Sequence, residues 1–500
     1  MGAVFLAFAL FATGRFANAQ PVVPPSPLPA SSPVAPAALP AAGKIPATLT
    51  LDITGSPGAD AAFLDEQIRA ALDRAIRPTL RPGASIAYGP IVPWPLLPLV
   101  TGERAAVNVT VTITGDDVSA PLQGVTLIVL NSETVPRAEP AVLFLSDDPE
   151  YLLGEGMIYR GDVTVDRAAR LYYYHSDIGL PRDLDIVLTA NAPSRVHLIG
   201  SAAGPDLDVM AVGHAVSRDY LRYRENGEGT VTNLVPGKAF VVRHALLLQG
   251  EVVAGVVDVR VLSGGPVAAS VVASPAGGRP EAYLAGPRVA FDGHHRHGAF
   301  DVSSYGTIAA SYAVGGEPKS VQYGGRSPTP QNLDPRDDGH DYGDYGVARR
   351  VTFALANTTD VSRLVYFYEK PLGGPVRSSF VIDGQLKEIG CARLPQRYGI
   401  MTYQLPPHSS GASTIVTMTD GGSFIRSNSA SLRRRRCRTH RRSGLPTAVL
   451  PTRRLEREPK DTLPPRASRL TMLQSPEQTY TMVSFSRGLQ RALFLGRRYG

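Results

Sequence analysis

Between His294 and Asp344 the chain gathers imidazoles and carboxylates at close spacing: His294, His295 and His297, then Asp334, Asp337, Asp338, His340, Asp341 and Asp344. Imidazole nitrogens and carboxylate oxygens can jointly hold a divalent ion. His294, His295, His297, Asp337, Asp338 and Asp341 are the candidate ligands; no cofactor is expected, and a structural calcium is the ion such a site would hold. The stretch is not an EF-hand, because a loop opening at Asp334 puts Arg336 at its third position and has no closing Glu. Alternating Asp and Gly between 337 and 344 equally describes a solvated turn joining two strands.

Asp147, Asp148 and Glu150 stand beside Tyr151. A glycoside hydrolase uses such acids in pairs, but the two members come from distant strands and their spacing does not identify them. Ser146 to Pro149 reads first as a turn. Flat tyrosine rings can stack on apolar sugar faces, and Tyr172, Tyr174, Tyr342 and Tyr345 are the candidate ligand-binding rings. In the run Tyr172-Tyr173-Tyr174 the middle ring must face opposite to its neighbours, so either Tyr173 or the flanking pair is expected outward. Strand tyrosines also serve cross-strand packing, which is the competing role.

No motif commits the chain to a reaction. H-E-x-x-H, G-x-S-x-G and the G-x-x-x-x-G-K-[ST] phosphate loop are all missing from the sequence. Gly237-Lys238 lacks the earlier glycine, since Thr232 stands there, and lacks the following Ser or Thr. No catalytic residue is assigned, and a protein that is not an enzyme is expected.

The elements that must carry these residues are mainly strands. Thr48 to Ile53 alternates, and Asp60 is placed to cap a helix whose Phe63, Leu64, Ile68, Leu72 and Ile76 share one face before Pro78 stops it. With the alternating runs 106–113 and 125–130, this gives a small α/β domain over 46–135. The connection 91–100, with Pro93, Pro95 and Pro98 around Trp94, either packs along that domain or offers an apolar binding loop.

From 136 onward, strand-like runs separated by Gly, Pro and Asp predict β-structure with no long helix. Gly264-Gly265, between the β-branched runs 252–262 and 267–273, predicts a tight hairpin. The stretch 158–175 parallels 347–368, and Gly264-Gly-Pro-Val267 recurs as Gly373-Gly-Pro-Val376. The expected fold is therefore mainly β: tandem β-sandwich domains over 136–280 and 281–425, preceded by the small α/β domain.

The two ends differ in kind from this body. Val4 to Ala12 is an apolar run leading to Ala17-Asn18-Ala19, the pattern of a secretory signal peptide over 1–19 without the usual n-region Lys or Arg. Residues 20–45 form a Pro/Ala-rich linker of extended type. Residues 426–500 carry 18 Lys and Arg against 4 acids, so the rest of a chain that totals +7 is net −7. That tail is expected to be a disordered basic arm, an out-of-frame stretch or, less in keeping with its composition, a small folded module. The out-of-frame reading is suggested by the missing return strand after Gly421-Gly422 and by the Arg excess. Cys391 and Cys437 are the only cysteines, and a bridge from a strand to such a tail is not expected.

Because the basic balance sits in one tail, a specific nucleic-acid partner is not expected. No later apolar run reaches transmembrane length, so no membrane-spanning segment is expected after signal cleavage. The expected protein is secreted, periplasmic or held in the cell envelope. It acts by binding or structural attachment, with cell-wall or extracellular polysaccharide, or an envelope protein, as partner. A secreted carbohydrate hydrolase and a polyanion binder acting through the Arg-rich tail are the alternatives. The sequons at Asn108 and Asn357 fall in expected strands.

Overall fold

The computed structural model describes residues 41–94, 98–115, 122–324, 330–371, 375–393, 395–422 and 468–474. The expected signal peptide, most of the linker, the Gly373-Gly374 echo and most of the basic tail lie outside the described residues.

β1 (Thr48–Thr54) and β2 (Gly58–Ala59) lead into α1 (Ala61–Ile76), where Asp60 Oδ1 accepts the Phe63 N–H at 2.8 Å. This N-cap satisfies one of the orphan donors of the first turn. Phe63, Leu64, Ile68, Leu72 and Ile76 are all buried, as their spacing predicts. β3 (Ser85–Val92), β4 (Leu99–Val100), β5 (Arg104–Thr114) and β6 (Leu122–Asn131) complete the region. β1 runs parallel to β6, followed outward by antiparallel β5 and β3. The linker's last residues pack here: Ala42 is buried and its carbonyl accepts the Arg81 N–H at 2.9 Å.

Next come β7 (Val142–Ser146), β8 (Tyr151–Leu152), β9 (Gly156–Val163), β10 (Ala169–Asp177), β11 (Arg182–Ala190) and β12 (Ser194–Asp206). α2 (Val209–Asn226) precedes β13 (Gly229–Leu234), β14 (Phe240–Leu247), β15 (Val252–Gly264) and β16 (Val267–Pro275). Then follow β17 (His297–Asp301), β18 (Thr307–Ala313), β19 (Lys319–Tyr323), β20 (Gln331–Asn332), β21 (Arg349–Asn357) and β22 (Arg363–Pro371). The chain closes with β23 (Val376–Ile382), β24 (Gln385–Ala392), β25 (Tyr398–Leu405), β26 (Ser409–Thr417) and β27 (Ser468–Gln474).

One long sheet takes the order β20-β17-β7-β10-β15-β12-β13-β1-β6-β5-β3, with β8 beside β10. A second sheet, β14-β11-β16-β9, shares a core with it made of Leu171, Tyr173, Ile186, Val257, Val259 and Val271 among others. Further on, β18-β21-β26-β23-β24 and β19-β27-β22-β25 enclose Phe353, Phe367, Phe380 and Ile415. The molecule is thus mainly β with several sheets.

Four expectations change. First, the long sheet crosses the expected boundaries at 135/136 and 280/281, because β1 pairs with β13 and β17 pairs with β7. Each region thereby satisfies a sheet edge that would otherwise expose unpaired backbone groups. Second, α2 lies where only strands were expected. Asp208 caps it and Gly227, in the left-handed region at φ 63°, ends it. Third, Gly264-Gly265 is not a hairpin, since β15 belongs to the long sheet and β16 to the second sheet. Gly264 holds φ 98°, and a Cβ there would meet the Pro193 carbonyl oxygen at 2.1 Å, so the crossing requires glycine. Fourth, Cys391 is disulfide-bonded, and the sequence's other cysteine, Cys437, lies outside the described residues. The backbone of β27, within the expected tail, runs between β19 and β22.

Candidate functional site

Antiparallel pairing of β7 with β17 sets Ser146 opposite His297, and the ladder continues beyond the strands as Asp147 N–H donates to the Arg296 carbonyl at 3.0 Å. That register brings the turn 147–150 beside the loop 291–297. Asp148 then accepts the backbone N–H groups of Asp292 and Gly293 at 2.5 and 3.2 Å. The Glu150 N–H donates to Asp292 Oδ2 at 3.3 Å. A third loop, 333–345, docks on the same edge, where Asn332 Nδ2 donates to the carbonyls of Asp337 and Gly339 at 2.8 and 3.1 Å.

Charge is handled inside this cluster by pairing. Burial pushes Asp147 up to about 7, even though the Arg296 guanidinium contacts it. Arg296 also lies over the Tyr345 ring, 4.4 Å from its centroid. His295 spans Glu150 and Asp292, with Nε2 2.8 Å from Glu150 Oε2 and Nδ1 2.6 Å from Asp292 Oδ2. Burial opposes its charge, but the Glu150 hydrogen bond, reinforced by Asp292, raises it to about 9. His295 is therefore an imidazolium that fastens two loops, not a ligand waiting for a metal.

His297 is different. Its side chain is 8% exposed and its ring stacks on Phe291 with centroids 3.8 Å apart. Nε2 lies 2.7 Å from Asp337 Oδ1 and Nδ1 3.3 Å from Asp148 Oδ2, yet neither nitrogen makes a hydrogen bond of acceptable direction. Ligand atoms of His297, Asp337 and Asp338 all lie within 4.8 Å of one another. Of the six expected ligands these three come together. His294 is exposed, and Asp341 is buried apart, accepting the Tyr345 N–H at 2.9 Å. Burial, with the neighbouring Asp344 charge, raises Asp341 well above the usual carboxylate range.

The tyrosine platform expected from the sequence needs correction at three of its four positions. Tyr172 and Tyr174 pack in the core that includes α2, Tyr345 is buried beside them, and Tyr173 faces the opposite core. Every residue of β10 is buried, because the second sheet covers one face and α2 with the following loops covers the other. Of the four only Tyr342 is exposed, at 41%; Tyr151, at the start of β8, is 39% exposed and Phe291, in the loop before β17, 37%. Tyr151 meets the His295 ring edge-on at 5.9 Å. Asp148 and Glu150 read in the sequence only as acids in a turn beside Tyr151, and Phe291, Asp292 and Arg296 are not singled out there. The Ser146-to-Pro149 and Phe291-Asp292-Gly293 turns are the local signals.

Two serine–histidine contacts have the residue types of a nucleophile site, and neither completes one. His175 Nδ1 donates to the Pro149 carbonyl at 2.9 Å, which leaves Nε2 to accept from Ser146 Oγ at 3.0 Å. Burial pushes His175 down to about 4 and both side chains are enclosed, so no substrate reaches them. Ser379 Oγ lies 3.4 Å from His214 Nδ1, the nitrogen that also meets Asp420 at 2.7 Å. A nucleophile and an orienting acid on one ring nitrogen do not make a triad.

No protein-family model matches this sequence, and no curated protein matches it. Solved structures similar in part include the M60 catalytic domain with the CBM51-1 and CBM51-2 domains of ZmpB from Clostridium perfringens. It is 8% identical with a TM-score of 0.12, over 67% of this chain and 41% of that one. Tripeptidyl peptidase 2 is 8% identical with a TM-score of 0.15, over 67% and 28%. Lac15 from a marine microbial metagenome is 10% identical with a TM-score of 0.11, over 63% and 68%. The chain spans about two fifths of the length of the first. At TM-scores this low none of them assigns a fold or a function.

Proposed function

We propose that this chain is an exported, non-catalytic β-sandwich protein that binds or attaches to cell-envelope or extracellular polysaccharide. The observation that carries the reading is the loop cluster on which Tyr151, Phe291 and Tyr342 are exposed among acids and histidines. Half-exposed rings beside hydrogen-bonding groups suit the alternating apolar and hydroxylated faces of a sugar chain. Two pairs of sheets, each enclosing one core, support the sandwich assignment. Export rests on the apolar run and the Ala17-Asn18-Ala19 pattern.

The test is sedimentation of the mature chain with the host's wall polysaccharide, peptidoglycan and membrane fractions. Saturable binding to a polysaccharide fraction is expected, weakened about fivefold by Tyr342→Ala or Phe291→Ala, since one stacked ring contributes roughly 1 kcal/mol. Binding to membranes alone, or polysaccharide binding that both variants leave unchanged, would overturn the reading.

A further inference from the structure

We infer that His297, Asp337 and Asp338 form a site for a divalent first-row transition ion that ties the loop 333–345 to β17. This stands independently of polysaccharide binding, because it rests on the ligand geometry alone. A buried imidazole with two carboxylate neighbours ordinarily takes a hydrogen bond from or to one of them. His297 makes none of acceptable direction, although one carboxylate oxygen is 2.7 Å from Nε2 and another 3.3 Å from Nδ1. A cation shared by Nε2, Asp337 and Asp338 satisfies all three groups, whose ligand atoms already lie within 4.8 Å of one another.

The surroundings match what a ligating histidine needs. Its other nitrogen lies 3.3 Å from Asp148, which two backbone N–H groups hold in place, so the outer carboxylate that a metal-bound imidazole needs as its partner stands beside the ring. Phe291 stacks on the ring and blocks its rotation. Asp337 is steadied by the Gly339 N–H at 2.8 Å, and Asp338 is exposed to solvent. The donor set also names the ion class. Calcium takes oxygen ligands, whereas imidazole with carboxylates suits zinc and its first-row neighbours, so the calcium expected from the acid-rich sequence gives way to zinc.

The experiment uses the untagged mature chain, stripped with chelator and titrated calorimetrically with Zn²⁺, Co²⁺ and Ca²⁺ separately, the Co²⁺ complex being read also by its visible absorption. One equivalent of Zn²⁺ or Co²⁺ is expected to bind more tightly than Ca²⁺, with a d–d spectrum indicating nitrogen ligation. Asp338→Asn, at an exposed position that leaves the fold intact, should weaken Zn²⁺ at least tenfold. Asp148→Asn should weaken it about 10–100-fold, as outer carboxylates do. Failure of Zn²⁺ and Co²⁺ to bind, preference for Ca²⁺, or Zn²⁺ binding that Asp338→Asn leaves unchanged would overturn the site.

Discussion

Glu228 has no exposed surface, and its Oε1 accepts the N–H of Asp60, the residue that caps α1, at 2.7 Å. Burial pushes its carboxyl up to about 7. A carboxyl whose folded value lies above its unfolded one binds its proton more tightly in the native state. The stability it contributes is present below the unfolded value near 4.5 and is lost as pH rises through about 7. Glu228→Gln keeps the acceptor oxygen and never ionises. The variant should match the wild type near pH 5 and exceed it at pH 8 by about 2 kcal/mol in urea unfolding. A stability difference that does not change with pH would show that Glu228 does not titrate in this window. At the same scale, the sequence places His297, Asp337 and Asp338 within one polar stretch but cannot separate them from His295. Whether an imidazole meets Glu150 or an unfilled carboxylate pair depends on the β7–β17 register, which joins residues about 150 positions apart.

α2 lies against the turn that follows β26, and Gly213 is the point of closest approach. A Cβ there would meet the Gly421 carbonyl oxygen at 1.9 Å and its carbon at 2.4 Å. Alanine favours a helix over glycine by about 1 kcal/mol, yet Gly213→Ala should lower stability by roughly 2 kcal/mol, because backbone cannot yield as a side chain can. Equal or higher stability of the variant in chemical denaturation would show that the turn moves freely. The two helices also show what local sequence conveys. α1 was legible because a capping aspartate precedes leucines and isoleucines at helical spacing. α2 buries Val212, Val216 and Tyr220 at the same spacing, but valine and tyrosine favour strands, and its Asp208 and Gly227 termini were outweighed. β15 and β16 were legible as strands but not as members of different sheets. Alternation tells which face is buried, not which sheet a strand joins.

The long sheet binds the regions that composition suggested were separate. β13 lies between β12 and β1, and Glu225 near the end of α2 pairs with Arg137 before β7 and with Arg350 in β21. Calorimetry of the chain should therefore give one cooperative transition that includes residues 46–135, with no earlier melting of the first region. Two resolved transitions, the first exposing α1 to protease, would show that the regions fold independently. Strand content was legible from the Gly- and Pro-punctuated alternation. The joining of sheets was not, since it rests on pairings such as Asp52 with Val231. β1 is the first strand after the proline-rich stretch, and Thr48 to Ile53 pair in parallel with β6 while Asp52 to Thr54 pair antiparallel with β13, so Asp52 and Ile53 are bonded on both sides. A pull transmitted along β1's own axis therefore loads these rungs together in shear instead of peeling them one at a time, and the end of the strand farthest from the proline-rich stretch is the part held from both sides.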